Sequence, residues 1–495
     1  MKKRFHKLLH FVFITSLLMQ MASCTDAASS KKSKSGFTET KIASLPDNFL
    51  GLIPYEKDFI LAGVNKEGKQ YLSFNGKDGP GFDAISPESI VFNVKSKNIA
   101  YIGQKDEKLV VVKDTTPSPE YSGVGDGTLV LSFDGKRIAY AVEQDGKWKL
   151  VIDGKDEPLY DVIGGSPVFS PDSKHIAYAA QKDGKWFTVI DGAVSPQYDG
   201  IGGLMYNADS SQIAYIGMKG EKFCVIKNEK VSPEFDGFGG MIFSPDGQHF
   251  AYAVMQGEKW FCFIDDEPAK EYDMIMEGSL VYSPDSKRLA YGISTDKKLC
   301  VMVDNKPGPE VEALYTVPFF SPDSKHIVYI ARKDNRQVVV YDQKMGEKYE
   351  GIGGNSIAFS PNSERLAYGV KKGEKWQVVI DGKAGREYDQ IGGMIFSPDS
   401  KKMAHIASSD GKTSIVINGA PKGKYAGIMS KVVFSPDSKH IAFFAGEVNN
   451  CFMLVDEKAG SKYEKVICGI SVSDDGGFEG IALKQKVLYK INWKP

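Results

Sequence analysis

Seven carboxylates recur in one short sequence context, and they are the side chains of this chain best suited to do chemistry. Each follows directly after an aromatic residue, as in Tyr160-Asp161 and Tyr198-Asp199. The full set is Asp161, Asp199, Asp236, Asp273, Glu350, Asp389 and Glu464. If these side chains meet on one face of the fold, their oxygens can hold a hard cation or a basic segment of a partner.

A structural role is the alternative for the same seven residues, because a carboxylate beside a glycine-rich backbone can accept local N–H bonds. Two copies carry Glu in place of Asp, and Ala426 follows the aromatic in another copy. Both departures count against a strict metal ring. We therefore expect no metal and no cofactor.

Four of the seven histidines share one place in the sequence, three residues before a recurring aromatic. They are His175, His249, His326 and His440, and Arg or Lys stands there in other copies. Because each lies in a different copy, the pattern predicts surface histidines and no metal cluster. The chain also has no G-x-S-x-G, H-E-x-x-H or phosphate-loop motif. No catalytic residue is predicted.

These residues are positioned by a repeat, which is seen most clearly between Phe169 and Gly203. Ser170-Pro171-Asp172-Ser173 suits a type I turn, and two Asp-Gly pairs suit tight hairpins. The apolar runs between these turns favour strands. One copy therefore predicts a four-stranded antiparallel meander, which cannot bury both faces alone.

The copies can be counted at the place of Tyr178, called the marker position below. Its members are Leu61, Tyr101, Tyr140, Tyr178, Tyr215, Tyr252, Tyr291, Tyr329, Tyr368, His405, Phe443 and Leu483. Twelve units at a spacing of about 38 residues, with four strands each, predict an all-β β-propeller. Since propellers of roughly four to eight blades are usual, the units predict two six-bladed propellers, over residues 37–275 and 276–495.

The segment Phe-Ser-Pro-Asp-Ser-Lys-x-Ile/Leu-Ala-Tyr at Phe169, with close variants at Phe396 and Phe434 that end in His405 and Phe443, resembles the WD40-like repeat of bacterial periplasmic TolB-type propellers. The same repeat occurs in propeller domains of prolyl-oligopeptidase-type peptidases. The resemblance covers roughly residues 45–495. It implies the propeller fold and an envelope setting. We expect two departures from these families, with neither an N-terminal α/β domain as in TolB nor a hydrolase domain as in the peptidases.

The first 36 residues predict export and anchoring. Residues 1–23 have a basic start followed by a short apolar run, as in a signal peptide. Met21-Ala-Ser-Cys24 resembles a bacterial lipobox with Cys24 as the lipidated residue, and secretion with cleavage nearby is the alternative. Residues 24–36 predict a flexible tether. The 62 basic and 63 acidic side chains give no basic excess that would indicate nucleic acid.

The final unit ends after a third strand at Val487 to Trp493, while Thr38 to Leu45 lies where a fourth strand belongs. We expect the N-terminal strand to complete the last blade and cover its edge. A nested arrangement of the two propellers is the alternative. The cysteines other than Cys24 predict buried free thiols, with a Cys451–Cys468 disulfide as the alternative in an oxidising compartment.

The sequence as a whole predicts a non-enzymatic cell-envelope protein, lipid-anchored, whose propeller surfaces bind a protein partner. The alternative is an axial-channel enzyme or a small-ligand or glycan binder, of the lyase, lactonase or hydrolase type. The position of unusual residues separates the two hypotheses. Polar departures that converge on one channel pocket favour an enzyme, and departures spread over a broad rim favour a partner.

Overall fold

The computed structural model describes residues 31–32, 36–55, 58–354 and 356–495. In these ranges the chain forms twelve antiparallel sheets, called blades 1 to 12 in chain order, with strands counted from first to fourth. The predicted all-β propeller of twelve four-stranded units is confirmed. Cys24 and the predicted signal peptide lie outside the described residues. No helix within the described ranges is long and apolar enough to cross a membrane.

The second and third strands are the most regular elements of each blade. The second strands are Asp58–Val64, Asn98–Lys105, Ile138–Gln144, Ile176–Lys182, Ile213–Lys219, Phe250–Gln256, Leu289–Thr295, Ile327–Lys333, Leu366–Lys372, Met403–Ser409, Ile441–Glu447 and Phe478–Lys484. The third strands are Gln70–Phe74, Lys108–Lys113, Lys147–Ile152, Lys185–Ile190, Lys222–Lys227, Lys259–Ile264, Lys298–Val303, Arg336–Tyr341, Lys375–Ile380, Lys412–Ile417, Asn450–Val455 and Val487–Trp493.

The first strands are less regular, and in five blades they consist of two short pieces. They are Phe49–Tyr55, Ala84–Ile85 with Val91–Asn93, Gly123–Val124 with Val130–Leu131, Val162–Phe169, Gly200–Tyr206, Gly237–Phe243, Met274–Ile275 with Val281–Tyr282, Ala313–Leu314 with Phe319–Phe320, Gly351–Ile352 with Ala358–Phe359, Gln390–Phe396, Val433–Phe434 and Lys465–Val472. A 3-10 helix at Pro87–Ser89 joins the two pieces in blade 2.

The fourth strands vary from two to eight residues. They are Lys77–Asp78, Thr116–Tyr121, Lys155–Asp156, Ala193–Val194, Lys230–Val231, Glu267–Tyr272, Lys306–Pro307, Lys344–Tyr349, Lys383–Tyr388, Ala420–Tyr425, Lys458–Tyr463 and Phe37–Ser44. The last of these belongs to blade 12, and the short strand Lys31–Lys32 pairs with it.

The hairpins of a blade have the backbone that their sequence predicts. Asp183 and Gly184, between the second and third strands of blade 4, have φ of 53° and 77°. Asp191 and Gly192, between its third and fourth strands, have φ of 47° and 85°. Positive φ at both central residues matches the twist of the flanking strands. The alternating turns define two faces. The turn face carries the first-to-second turns and third-to-fourth hairpins, and the hairpin face carries the other connections.

The Ser-Pro-Asp-Ser turns connect neighbouring blades on the turn face. Within blade 4, the Ser170 hydroxyl donates to Asp172 (2.6 Å), which also accepts the N–H of Lys174 (3.0 Å). The N–H of Asp172 in turn donates to the Ser210 hydroxyl of blade 5 at 2.9 Å. The same bond, at 2.9–3.0 Å, joins Asp134 to Ser173, Asp246 to Ser286, Asp285 to Ser324, Asp323 to Ser363, Asn362 to Ser400 and Asp399 to Ser438.

Apolar clusters join each blade to the next around the whole chain, so the twelve blades form one ring. The predicted division into 37–275 and 276–495, as two six-bladed propellers, is wrong. Blade 6 packs on blade 7 through Cys262 and Tyr291. Blade 12 packs on blade 1 through Leu488 and Leu61. In a closed six-bladed ring, blade 6 would pack on blade 1 instead.

The ring is closed by the N-terminal strand, as predicted. Phe37–Ser44 pairs antiparallel with Val487–Trp493, so blade 12 is built from both ends of the described chain. Phe37 is 2% exposed and packs in a cluster with Phe444 and Met453 of blade 11. The N-terminal strand therefore contributes to the seam as well as to the sheet.

Replacing Phe37 by Ala removes a buried ring from this seam, and we expect a loss of about 3–5 kcal/mol in stability, the range typical of buried Phe to Ala changes. The midpoint of thermal unfolding, followed by circular dichroism, measures the effect. Ile42→Ala on the same strand is the control, because Ile42 is 39% exposed. Equal midpoints for the two variants would contradict a closure that depends on packing.

Candidate functional site

The seven predicted carboxylates each lie where the chain enters a new blade, on the hairpin face. Each accepts a main-chain N–H from the second-to-third hairpin of the blade that it enters. The bonds, at 2.7–3.0 Å, join Asp161 to Asp183, Asp199 to Gly220, Asp236 to Gly257, Asp273 to Asp296, Glu350 to Gly373, Asp389 to Asp410 and Glu464 to Gln485. The donors are not in the following glycine-rich segment, as the structural alternative assumed, but 21–23 residues further along the chain.

Five of these carboxylates also bind a lysine from the start of the preceding blade's third strand. Lys259 lies 2.7 Å from Asp273, and Lys147 lies 3.4 Å from Asp161. The other pairs are Lys185–Asp199, Lys222–Asp236 and Lys375–Asp389. The bond from the Lys259 ammonium lowers the pKa of Asp273 below its ordinary value. Each of these carboxylates thus links two blades.

This geometry gives the seven acids a structural role as blade linkers. They occupy separate blades, and the described ranges contain no cluster of three or more His, Cys, Asp or Glu side chains able to hold a metal ion. Their oxygens are already bonded to hairpin N–H groups and lysine ammonium groups. The acids can contribute to a charged rim, but each acts alone.

At five of the seven acids, the aromatic residue before the acid packs across the seam on the marker residue of the next blade. Tyr160 and Tyr178 have ring centroids 6.3 Å apart at 68°, an edge-to-face arrangement. Tyr272 and Tyr291 are 6.0 Å apart at 73°, and their hydroxyls are 3.2 Å apart. Equivalent pairs are Phe82–Tyr101, Tyr121–Tyr140, Tyr349–Tyr368, Tyr388–His405 and Tyr425–Phe443.

The four predicted surface histidines have a partner that the sequence did not indicate. In each, ring Nδ1 lies 2.5–2.7 Å from the aspartate of the third-to-fourth hairpin, in the pairs His175–Asp191, His249–Asp265, His326–Asp342 and His440–Asp456. The side chains are 26–46% exposed. Arg137, Arg288 and Arg365 bind the equivalent aspartates at 2.8–2.9 Å. Because arginine makes the same bond to the hairpin aspartate, this position needs a side chain that donates a hydrogen bond, and not one that transfers a proton.

His405 occupies the marker position of blade 10, where most blades carry tyrosine. It is 4% exposed, and neither ring nitrogen makes a hydrogen bond within the described residues. It packs edge-to-face on Tyr388 of blade 9, with ring centroids 6.0 Å apart, and the Tyr388 hydroxyl also lacks a partner there. Burial lowers the pKa of His405 from 6.5 to about 4.

A pH-dependent stability follows from the buried neutral imidazole. Below pH 6.5 the imidazole of His405 takes up a proton in the unfolded chain but not in the folded chain. The contribution of His405 to the free energy of unfolding is therefore complete above pH 6.5 and is lost as the pH falls towards 4. At about 1.4 kcal/mol per pKa unit, the loss reaches about 3 kcal/mol near pH 4. We expect His405→Tyr to reduce this loss, measured by urea unfolding from pH 7 to pH 4.

Tyr368→His is the matched control for this prediction, because Tyr368 occupies the same position one blade earlier, against Tyr349. That variant should lose stability more steeply over the same pH range. If His405→Tyr and the unchanged chain lose stability in parallel, His405 is not the titrating group.

The five described cysteines, Cys224, Cys262, Cys300, Cys451 and Cys468, are buried free thiols. Cys451 and Cys468 do not form the alternative disulfide, since their sulfur atoms contact the carbonyl oxygens of Tyr463 and Asp58. Burial raises the pKa of Cys262 and of Cys468 to about 12. The thiolate, which is the reactive form, is therefore suppressed.

In a Cys24→Ala background we expect no thiol to react with Ellman's reagent at pH 8 in the folded protein. All five should react after unfolding in urea. One thiol that reacts within seconds in the folded chain would contradict the burial described above.

Two clefts of about 220 Å³ lie at equivalent seams, between blades 5 and 6 and between blades 10 and 11. The first has Phe250, Tyr252 and Phe263 in its wall, and the second has Phe443. Each is edged by an ion pair across the seam, Lys230–Asp266 or Lys422–Glu457. Second-, third- and fourth-strand residues line both clefts, and the first-strand residue Phe434 also lines the cleft between blades 10 and 11.

The chain is similar to other β-propellers of known structure. No protein-family model and no curated protein matches the sequence. Among solved structures, the Cps50 (Swd1) β-propeller domain from Myceliophteria thermophila is similar, with a TM-score of 0.25 and 12% identity over 60% of this chain and 99% of that one. TolB from Acinetobacter baumannii has a TM-score of 0.23 and 12% identity over 59% and 78%. Dihydro-heme d1 dehydrogenase NirN has 0.27 and 14% over 58% and 75%.

These likenesses are too low to indicate a function. The class of the protein, a β-propeller of twelve blades, is defined by its own strand order and seams.

Proposed function

We propose that this protein is a non-enzymatic scaffold of the cell envelope, whose propeller faces bind a protein partner. The supporting observation is the distribution of exposed large apolar side chains. They occur on blades 1 to 5, 7, 8, 11 and 12, as Ile42, Leu50, Val94, Phe133, Leu159, Val162, Val194, Val231, Met274, Tyr315, Val317 and Val448. Exposed apolar side chains on a rigid surface suit protein recognition over a broad area.

An axial enzyme or glycan binder remains the alternative, and it requires unusual first-strand residues to converge. Exposed departures between the two pieces of a first strand include Asp126 in blade 3, Glu277 in blade 7 and Tyr315 in blade 8. They belong to different blades of a wide ring. This spread favours the scaffold.

The proposed location is the cell envelope, with a lipid anchor at Cys24. A basic start, a short apolar run and the lipobox-like Met21-Ala-Ser-Cys24 support it. In a Gram-negative cell, the mature protein would face the periplasm from the outer membrane. Because Lys31–Lys32 pair with the closing strand, residues 24–30 would separate the ring from that membrane.

Photo-crosslinking in intact envelopes tests the scaffold function. Benzoylphenylalanine is placed at Tyr315 and at Val448, which are 50% and 72% exposed, and at buried Tyr178 as the control. We expect discrete protein adducts from at least one exposed position and none from Tyr178. A chain without adducts at either exposed position, and with a saturable glycan or lactone ligand, would instead favour the axial alternative.

The anchor is tested separately by Cys24→Ala. Without the thiol that carries the lipid, the protein should move from the membrane fraction to the soluble fraction, as followed by immunoblotting after envelope fractionation. Cys224→Ala is the control, because Cys224 is buried in blade 5. An unchanged membrane fraction for Cys24→Ala would reject the anchor and leave the scaffold function open.

A further inference from the structure

Two neighbouring turns on the turn face depart from the Ser-Pro-Asp pattern. In blades 2 and 3 the place of the proline is taken by Val94 and Phe133, which are 41% and 59% exposed. Seven other blades carry proline there, as Pro171, Pro245, Pro284, Pro322, Pro361, Pro398 and Pro436. An aromatic side chain that replaces a turn proline and remains exposed adds nothing to the turn itself.

The two turns are held together as one rigid unit. The Asn93 side-chain amide donates to the carbonyl oxygens of Ser132 (2.9 Å) and Phe133 (3.0 Å). Its oxygen accepts the N–H groups of Lys95 and Ser96. The turns also touch directly, since a Cβ at Gly135 would lie 1.9 Å from the Ser96 hydroxyl. A surface fixed in this way loses little conformational entropy when it binds.

One charge in these two turns is opposite to that of the other blades. Lys95 stands where the repeat has the turn aspartate, as in Asp172. Within the described ranges Lys95 has no acidic partner. Lys97 lies 3.2 Å from Asp58, and Lys136, which is 83% exposed, lies 3.6 Å from Asp134. Lys97 and Lys136 occupy the place of Lys174 in blade 4, so three exposed lysines lie in the same two turns as the two apolar side chains.

We propose that Val94 and Phe133, with Lys95, Lys97 and Lys136 of the same two turns, form a docking site for an acidic segment of a partner protein. This docking site rests on the proposed function and specifies where on the ring it operates. Phe133 and Val94 contact an apolar side chain of the segment, and the lysines bind its carboxylates. An apolar centre with a charged rim is how protein interfaces combine affinity with a fast, specific encounter.

The probe is a fluorescein-labelled peptide of twelve residues with a central Trp-Leu pair flanked by glutamates. Fluorescence anisotropy at 50 mM NaCl should show saturable binding to the full mature chain, weaker at 300 mM because the lysine contacts are screened. Replacing the glutamates by glutamine, or Trp-Leu by Ser-Ser, should weaken binding at least tenfold.

Two variants introduce the residues of the other blades at exposed positions that do not have a positive φ. Phe133→Pro reproduces Pro171, and Lys95→Asp reproduces Asp172. Each should weaken peptide binding at least tenfold while the circular dichroism spectrum and thermal midpoint stay unchanged. Val448→Ser is the control on the opposite face and should bind as the unchanged chain does.

Equal peptide binding by Phe133→Pro and the unchanged chain would overturn the docking site. It would also be overturned if Phe133→Pro abolished binding to phosphatidylglycerol vesicles, or self-association in sedimentation velocity, without affecting the peptide. Those results would assign the surface to a membrane or to a second copy. The scaffold function and the docking site can be separated. If Tyr315 or Val448 still gives protein crosslinks while the turn variants bind the peptide as the unchanged chain does, the scaffold function is supported and only the docking site is rejected.

Discussion

The ring depends on one contact made at blade boundaries around its circumference, the packing of an aromatic side chain on the marker residue of the next blade. Tyr160 on Tyr178 and Tyr272 on Tyr291 are typical, with centroids 6.0–6.3 Å apart. Such edge-to-face pairs add about 0.5–1.5 kcal/mol each to the apolar area that they bury. A single blade cannot bury both of its faces. The folded arrangement of the blades therefore depends on these seams and on the closing strand Phe37–Ser44.

The polar residues of the repeat strengthen the same seams. The acid after each aromatic caps a hairpin of its own blade and, in five blades, binds a lysine of the blade before. On the other face, Asp172 donates its N–H to Ser210 across the boundary. The groups that looked most suited to chemistry in the sequence are thus used to hold the ring. These residues recur because the same contacts are made at successive seams. A binding site, in contrast, is expected at residues that occur in one place only.

Residue types and period alone predicted the propeller, the twelve blades and the closing strand, because each follows from local turn chemistry and hydrophobic pattern. The number of rings did not follow from them. The repeat pattern breaks at 272–278 and at 311–315, yet Tyr272 still packs on Tyr291, and Val311 lies in one cluster with Tyr329. The breaks affect only first strands. Blade curvature, which decides ring size, depends on seam geometry that no single repeat encodes. The same holds for the hairpin partner of Asp161, since strand register brings residues 22 positions apart together.

A ring of twelve has a consequence for its first strands, whose free edges face the axis without a neighbour to cover them. Pairing shifts register at Gly164/Val168, Gly202/Met205 and Gly392/Ile395, so bulges interrupt these edges and discourage pairing with another chain. Glycine is required at Gly164, where a Cβ would lie 2.4 Å from the Trp186 ring. Blade 8 has Tyr315 and Val317 in this region instead, and blades 2 and 3 have Val94 and Phe133 on the turn face. These residues differ from those at the same place in other blades, and they are exposed because they do not pack in a seam. We therefore expect this ring to recognise a partner where its sequence departs from the repeat.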